Sequence, residues 1–382
     1  MSTPRPLHAP YGIVPPHVLR HVAQHGEDEE REGAIDTLVA TERMRGERHA
    51  VAGQRGGVQA GEKRRTLYDA GHVQRLPGKL VRGETDAPVR DPAVNEAFDG
   101  LGATYDYYFE VHGRDSIDGR GLPLDASVHY RRSFNNAFWN GRQMVFGDGD
   151  GEIFNRFTAS TDIIGHELTH GVTQYEAGLD YQGQSGALNE HMSDVFGSLV
   201  KQHVLRQTAK RADWLIGEGI WAKGIHGKAL RSMKAPGTAY DDPRVGKDPQ
   251  PANMSGYVDT NDDNGGVHVN SGIPNHAFYL ASMGFGGSAW VKAGKVWYLA
   301  LTQSLHRDAD FMVAAAATVD AAGRLFGTKG ATVVRTAWKQ VGIEVKGASP
   351  TKTKRVQTKA QVKGAVQRAH SRGPERRTRR AS

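Results

Sequence analysis

Asp162-Ile163-Ile164-Gly165-His166-Glu167-Leu168-Thr169-His170 carries the spacing His-Glu-x-x-His. In a helix, residues four apart project from one face, one turn above the other, so His166 and His170 are placed to hold a single zinc ion. Glu167 is then within reach of a water on that ion. The flanks fit a helix. Ser160, Thr161 or Asp162 can cap its start, and Ile163, Ile164, Leu168 and Val172 form an apolar stripe behind the imidazoles. Without further ligands the same residues read as a surface helix with two solvated histidines.

Zinc bound by two imidazoles needs a third protein ligand and an open position. Glu190, twenty residues past His170, and Asp194 fall at i and i+4 of a second amphipathic pattern, with Leu188, Met192, Val195, Phe196 and Leu199 as its apolar side. Glu190 can complete a His-His-Glu ligand set, and Asp194 can accept the free ring N–H of His166 and fix its tautomer. A third stretch, Asp262 to Gly272, places His268 after the turn Gly265-Gly266, with Asp263 close by to hold it in a donating form. Attack of an activated water on a carbonyl builds an oxyanion, and such a donor is what it needs.

With 382 residues, 38% of them hydrophobic, the chain can hold two or three domains and bury a sizeable core. The absence of cysteine excludes disulfides and cysteine-based zinc sites. No apolar run reaches the roughly 18 residues of a membrane span. Met1 to His8 has no apolar signal core, so Sec-type export is not encoded in the usual way. The net charge of +7 is unevenly placed: residues 346–382 hold twelve Lys/Arg against Glu375 alone, so the tail carries +11 and the rest of the chain −4. The tail lacks apolar periodicity and aromatic interleaving, and reads as a disordered, solvated segment and not as a nucleic-acid-binding one.

Residues 162–197, with Asn135-Asn136-Ala137-Phe138-Trp139-Asn140-Gly141 before them and 263–272 after, resemble the thermolysin-like neutral zinc metalloproteases, in register from about Tyr105 to Val345. The resemblance implies an α+β fold of two lobes, a mixed β/α N-terminal lobe and a helical C-terminal lobe, with the zinc cleft between. It implies an endopeptidase acting on peptides or proteins, with Asn136 and Ala137 on an edge strand that pairs with the substrate backbone; an extended peptide adding to a free sheet edge is sound physics in itself. By the same resemblance Arg231 binds a substrate carbonyl. Leu230, Ile163 and Ile216 line a pocket for a bulky apolar side chain just after the scissile bond. Tyr181 is the second oxyanion donor. Asp162, Asp213 and Glu218 match carboxylates of the family's double calcium site, but Lys201 and Leu215 stand where the family has glutamates, and Lys228 replaces a further carboxylate. At most one Ca2+ is expected beside the zinc.

Towards the N-terminus, Pro15-Pro16 permits a helix start, and Glu27 to Arg45 reads as a charged helix with Ala34, Ile35, Leu38, Val39 and Met44 on one side. This is too little apolar surface for an independent fold, and read alone it is a flexible arm. Ile13-Val14-Pro15-Pro16-x-x-Leu19-Arg20, however, resembles the short propeptide of protealysin-type members, which implies an inhibitory segment removed on activation. The expected organisation is a propeptide at 1–50, a Gly-rich linker with the processing site at 51–62, the N-terminal lobe with the zinc helix at 63–185, the helical lobe at 186–345, and the tail at 346–382. Thr66–Ala70 and Val128–Tyr130 read as strands, Asp91–Phe109 as a helix, 136–139 and 144–150 as a strand pair, and Phe311–Phe326 and Thr332–Val341 as helices. Family habit implies secretion, whereas the missing signal core leaves a cytoplasmic pool as the alternative. A catalytically silent binding protein and a nucleic-acid-associated protein acting through the tail are the competing classes, and neither explains why every catalytic position is filled.

Overall fold

A computed structural model describes residues 12–51 and 61–346, except for the side chains of 44–51. The Met44 side chain, most of the Gly-rich linker, the first eleven residues and nearly all of the basic tail lie outside the described residues. The chain divides after Val345 into two compact units, and all the helices and strands of the described residues belong to the first.

Pro16 opens α1 (Pro16–His25) where a missing N–H costs nothing, and Val18, Leu19 and Val22 face inward. Three acids lead α2 (Asp28–Val51) at the positive end of its dipole. Its inner face differs from the expected one. Ala34, Thr37, Ala40 and Thr41 are buried, while Ile35 and Val39 are 49% and 64% exposed. A polar contact helps fix that face: Thr37 Oγ1 accepts the Asn135 backbone N–H at 3.0 Å. Ile13, Val14, Val18, Leu19, Val22 and Ala34 join the same core as the rest of the unit, so the N-terminal segment borrows a core it cannot build.

The strands β1 (Arg65–Asp69), β2 (Lys79–Arg82), β3 (Leu124–Val128), β4 (Ala137–Trp139) and β5 (Met144–Phe146) form one sheet in the order β2-β1-β3-β5-β4. β1, β3 and β5 are parallel, and the two outer strands are antiparallel to their neighbours. β3 stops at Val128, two residues short of expectation, because His129 turns into the left-handed region at φ 55°. Between β2 and β3 lies α3 (Pro92–His112). Asp91 caps it through the Ala93 N–H, Gly113 closes it at φ 67°, and Val94, Ala97, Phe98, Leu101, Tyr105 and Tyr108 are buried as expected.

Two helices cross at the centre, α4 (Thr161–Tyr175) and α5 (Gly183–Val204). The expected apolar stripe of α5 is buried, and so is nearly everything else from Ser185 to Gln202. The crossing is close because it is glycine on glycine: a Cβ on Gly197 would lie 2.4 Å from Asp162 O, and one on Gly165 would lie 3.1 Å from Gly197 Cα. Short strands follow, β6 (Leu215–Ile216) against β7 (Arg231–Ser232) and β8 (Asp241–Asp242) against β9 (Gly246–Lys247). The helical part comprises α6 (Asp263–Asn270), α7 (Gly272–Phe285), α8 (Ala293–Gln303) and α9 (Phe311–Gln340). Gly327, at φ 68° and ψ −165°, interrupts α9 and separates the two helices expected there. Among the described residues no helix is long and apolar enough to cross a membrane.

Candidate active site

α4 presents His166 and His170 one turn apart, both fully or nearly fully buried. His166 Nδ1 lies 2.8 Å from Asp194 Oδ1, so a carboxylate that can only accept sets it as a donor. His170 Nδ1 lies 2.8 Å from Asn189 Oδ1 and 3.0 Å from Ser193 Oγ. With Nδ1 donating on both rings, the two Nε2 lone pairs face each other at 3.1 Å. Glu190 closes the triangle, Oε2 3.5 Å from His166 Nε2 and Oε1 3.4 Å from His170 Nε2. Glu190 Oε2 is buried with no hydrogen-bond partner among the described residues. Ligands about 2.0–2.1 Å from a tetrahedral zinc stand roughly 3.3 Å apart. Three acceptors converging at that spacing repel one another and suit a cation, so the residues fit the metal.

Glu167 is buried beside them, and its Oε2 accepts the Trp139 backbone N–H of β4 at 3.0 Å. That strand supplies the Asn136–Ala137 edge, so the acid and the edge are fixed to one another. On the other side, Asp263 Oδ1 lies 2.7 Å from His268 Nδ1, and its Oδ2 accepts the His268 backbone N–H at 2.9 Å. Asp263, Asn264, Gly265 and Gly266 all have positive φ, which folds the chain back to make this double contact. Burial pulls the His268 pKa down, but the charges of Asp263 and Glu190 outweigh it and carry it up to about 9. His268 Nε2 lies 3.3 Å from the Tyr181 hydroxyl, which donates to Glu190 Oε1. Tyr181, His268 and Glu190 therefore line one side of the site.

Arg231 is buried and bidentate on Asp194, at 2.9 and 2.8 Å. Burial alone would raise the Asp194 pKa; Arg231 and His166 outweigh it and hold the carboxyl far below its usual range. Asn275 Nδ2 donates to Asp194 Oδ2 at 2.8 Å. Leu230 and Ile163 both approach Gly217, and the Leu230 N–H donates to Ile216 O at 2.9 Å, so the three apolar candidates are neighbours in the core.

The N-terminal segment lies along these same groups. Ile13 N–H donates to Ala137 O at 3.2 Å, Arg231 Nη1 donates to Ile13 O at 3.1 Å, and Val14 N–H donates to Asn136 Oδ1 at 3.0 Å. Just beyond, His17 Nε2 pairs with the Tyr240 hydroxyl at 3.0 Å.

One expectation changes in detail. Ser160 occupies the N-cap of α4 but does not cap it; its hydroxyl donates to Asp162 Oδ1 at 2.7 Å. The three calcium candidates gather around an ammonium: Lys201 Nζ is 3.3 Å from Asp162, 2.8 Å from Asp213 and 3.3 Å from Glu218. Sequence reasoning missed Asn189, Ser193, Asn275 and the Trp139 N–H. Asn189 and Ser193 flank the ligand in the same stretch of α5 and were legible from helical spacing; Asn275 and Trp139 act across the fold and carried no local signal.

The helix pair thus brings two imidazoles and a carboxylate to zinc spacing within an α+β frame. The description "Thermolysin metallopeptidase, catalytic domain" matches residues 48–174, and "Thermolysin metallopeptidase, alpha-helical domain" matches residues 177–343. An extracellular metalloprotease of Pectobacterium carotovorum subsp. carotovorum is 51% identical over 335 residues, 87% of this chain and 96% of that protein. Thermolysin of Alicyclobacillus acidocaldarius subsp. acidocaldarius is 45% identical over 72% of this chain and 50% of its own length. The solved precursor of protealysin, a metalloproteinase from Serratia proteamaculans, superposes with a TM-score of 0.81 at 55% identity, over 87% of this chain and 99% of that one. The chain belongs to the thermolysin metallopeptidase family. It is a zinc metalloendopeptidase.

Proposed function

We propose that this chain is the latent precursor of an endopeptidase that cleaves before bulky apolar residues, with residues 1–50 acting as its own inhibitor. The observation that carries the reading is the convergence of His166, His170 and Glu190 at zinc spacing, with a Glu190 Oε2 that accepts no hydrogen bond among the described residues. These three are the proposed ligands. Bound there, zinc supplies Lewis acidity and lowers the pKa of a water. Glu167 is the general base that takes the proton of the attacking water and delivers it to the leaving amine. His268 and Tyr181 donate to the developing oxyanion, and Asp263 keeps His268 oriented and protonated. Asp194 fixes the tautomer of His166.

Asn136, Ala137 and Arg231 hold the substrate backbone, and Leu230, Ile163 and Ile216 supply the apolar pocket after the scissile bond. What supports this is that all three backbone-binding groups already hold a peptide, the Ile13–Val14 segment, through its N–H and C=O groups. A chain seated there excludes substrate, so latency follows from occupancy. Processing in 51–62 separates the inhibitor from the lobes at 63–185 and 186–345. Asp162, Asp213 and Glu218 bind at most one Ca2+, since Lys201 already supplies a positive charge among them. Secretion is proposed from relatives that are named extracellular.

Intact-mass spectrometry over time, with and without a zinc chelator and beside Glu167→Gln, tests the reading. Wild type alone should shed about fifty to sixty N-terminal residues, as a Gly-rich linker sequence allows. A chain that stays whole, and cleaves no peptide after nicking by an added protease, would overturn it.

A further inference from the structure

β1, β3 and β5 run parallel and side by side, so the loops leaving their carboxyl ends open on one edge of the sheet. That is where open parallel sheets collect ligands. The three loops deliver His72, three residues past β1; His129, directly after β3; and Asp148, two residues past β5. The two histidine loops are tied together, His72 N–H donating to His129 O at 2.8 Å. Each of the three side chains offers one ligand atom, and all three atoms lie within 4.8 Å of one another. Asp148 Oδ2 is 2.9 Å from His129 Nδ1 and 3.5 Å from His72 Nδ1.

We propose that His72, His129 and Asp148 form a second divalent-metal site, for an ion of the zinc class, that clamps the ends of three parallel strands. Two imidazole nitrogens and one carboxylate oxygen suit zinc and its neighbours, not calcium or magnesium, which prefer oxygen alone. An outer partner is already in place: His129 Nε2 lies 2.6 Å from Asp91 Oδ2, so the carboxylate that caps α3 with its other oxygen also points Nδ1 at the ion. The spacing is close to what is needed. Ligands of a tetrahedral zinc stand roughly 3.3 Å apart, so the contacts of 2.9 and 3.5 Å need only small adjustments. The remaining gap closes by movement of His72, whose side chain is 44% exposed and which leaves a solvent path for the ion and for a water as fourth ligand.

Two carboxylates, Asp148 on Nδ1 and Asp91 on Nε2, flank the His129 ring, so the cluster is an acidic setting that suits a cation. The clamp also reaches the cleft, because β5 pairs with β4, whose Ala137 carries the Ile13 segment.

Equilibrium dialysis of the full chain against a small excess of Zn2+, followed by metal counting, tests the site. Wild type should bind two zinc ions per chain and His72→Ala one, with affinity for the second ion falling at least about tenfold. His72 sits on an exposed turn, so this variant keeps its fold, and Asp148→Asn gives an independent second loss. Glu190→Gln, aimed at the site between α4 and α5, should keep the second ion, which separates failure of one reading from failure of the other. One zinc ion in the wild type, or an unweakened second ion in both His72→Ala and Asp148→Asn, would overturn the proposal.

Discussion

Asp194 and Arg231 form a buried two-point pair, Nε–H to Oδ2 at 2.9 Å and Nη2–H to Oδ1 at 2.8 Å. The same Oδ1 faces His166 Nδ1 at 2.8 Å, so one carboxylate orients a proposed zinc ligand and a proposed substrate-binding cation. Asp194→Asn is expected to weaken zinc about 10–100-fold, as loss of an outer carboxylate usually does. Asp194→Ala leaves the guanidinium buried and unpaired, at a cost of about 3–5 kcal/mol in stability. Chelator competition and thermal unfolding read the two effects, and an unchanged zinc affinity in Asp194→Asn would remove the orienting role.

Glu167→Gln separates holding the metal from using it. The amide keeps the size of the side chain and can still accept from the Trp139 N–H, which the carboxylate meets at 3.0 Å. It cannot take a proton. Zinc content should stay at the wild-type level while kcat drops about 10²–10⁴-fold, the usual worth of a general base. Near-normal turnover in this variant is the result that contradicts the assignment.

The N-terminal segment should loosen in mild acid. Burial of the His17 ring, with Nδ1 shielded from solvent, lowers its pKa to about 4; Asp263 opposes the shift, while His268, Arg231 and Arg20 add to it. Once released, the ring returns to about 6.5. A docked pKa below the free one means the docking energy is fully present above pH 6.5 and is lost as pH falls from there towards 4. Between pH 7 and pH 5.5 docking should weaken about tenfold. Hydrogen exchange of the α1 amides in Glu167→Gln, corrected for intrinsic rates, should show that loosening, and His17→Gln should abolish it. Equal protection at both pH values counts against the switch.

Lys201 makes a further prediction. Its ammonium touches Asp162, Asp213 and Glu218 at 3.3, 2.8 and 3.3 Å, and their charges drive its pKa upward against burial. Exchanging it for a carboxylate turns three acids around a cation into four acids around none. Lys201→Glu should therefore be less stable than wild type in chelator and recover with added Ca2+, whereas the wild-type midpoint should move little. Differential scanning in both buffers decides this, and a strongly calcium-dependent wild type would contradict it.

Much of the fold and site was legible in the sequence because helical spacing is a local property. His166 and His170, and Glu190 and Asp194, could be placed on common faces from their i, i+4 separations alone, and α4 and α5 put them there. The buried stripe of α3 followed from the same periodicity. The features that escaped depend on partners distant in the chain. α2 turns Ala34, Thr37 and Thr41 inward and leaves Val39 exposed, with Thr37 bonded to Asn135 far along the sequence. β3 ends early because His129 adopts a left-handed backbone, which no hydrophobic pattern reports. Asn189 and Ser193, the polar neighbours of His170, are an intermediate case: they lie one and three residues from Glu190, but neutral side chains give a weaker signal than the carboxylates beside them.

The glycine contact between α4 and α5 has a consequence for how the molecule can move. Backbone rests on backbone where Gly165 meets Gly197, and there is no side chain between them to change rotamer. The three proposed ligands therefore ride on one stiff block whose internal distances are fixed by main-chain hard contact. Departure of the N-terminal segment, or closure over a substrate, has to flex the molecule elsewhere, so the metal should stay in its seat from latent precursor to working enzyme.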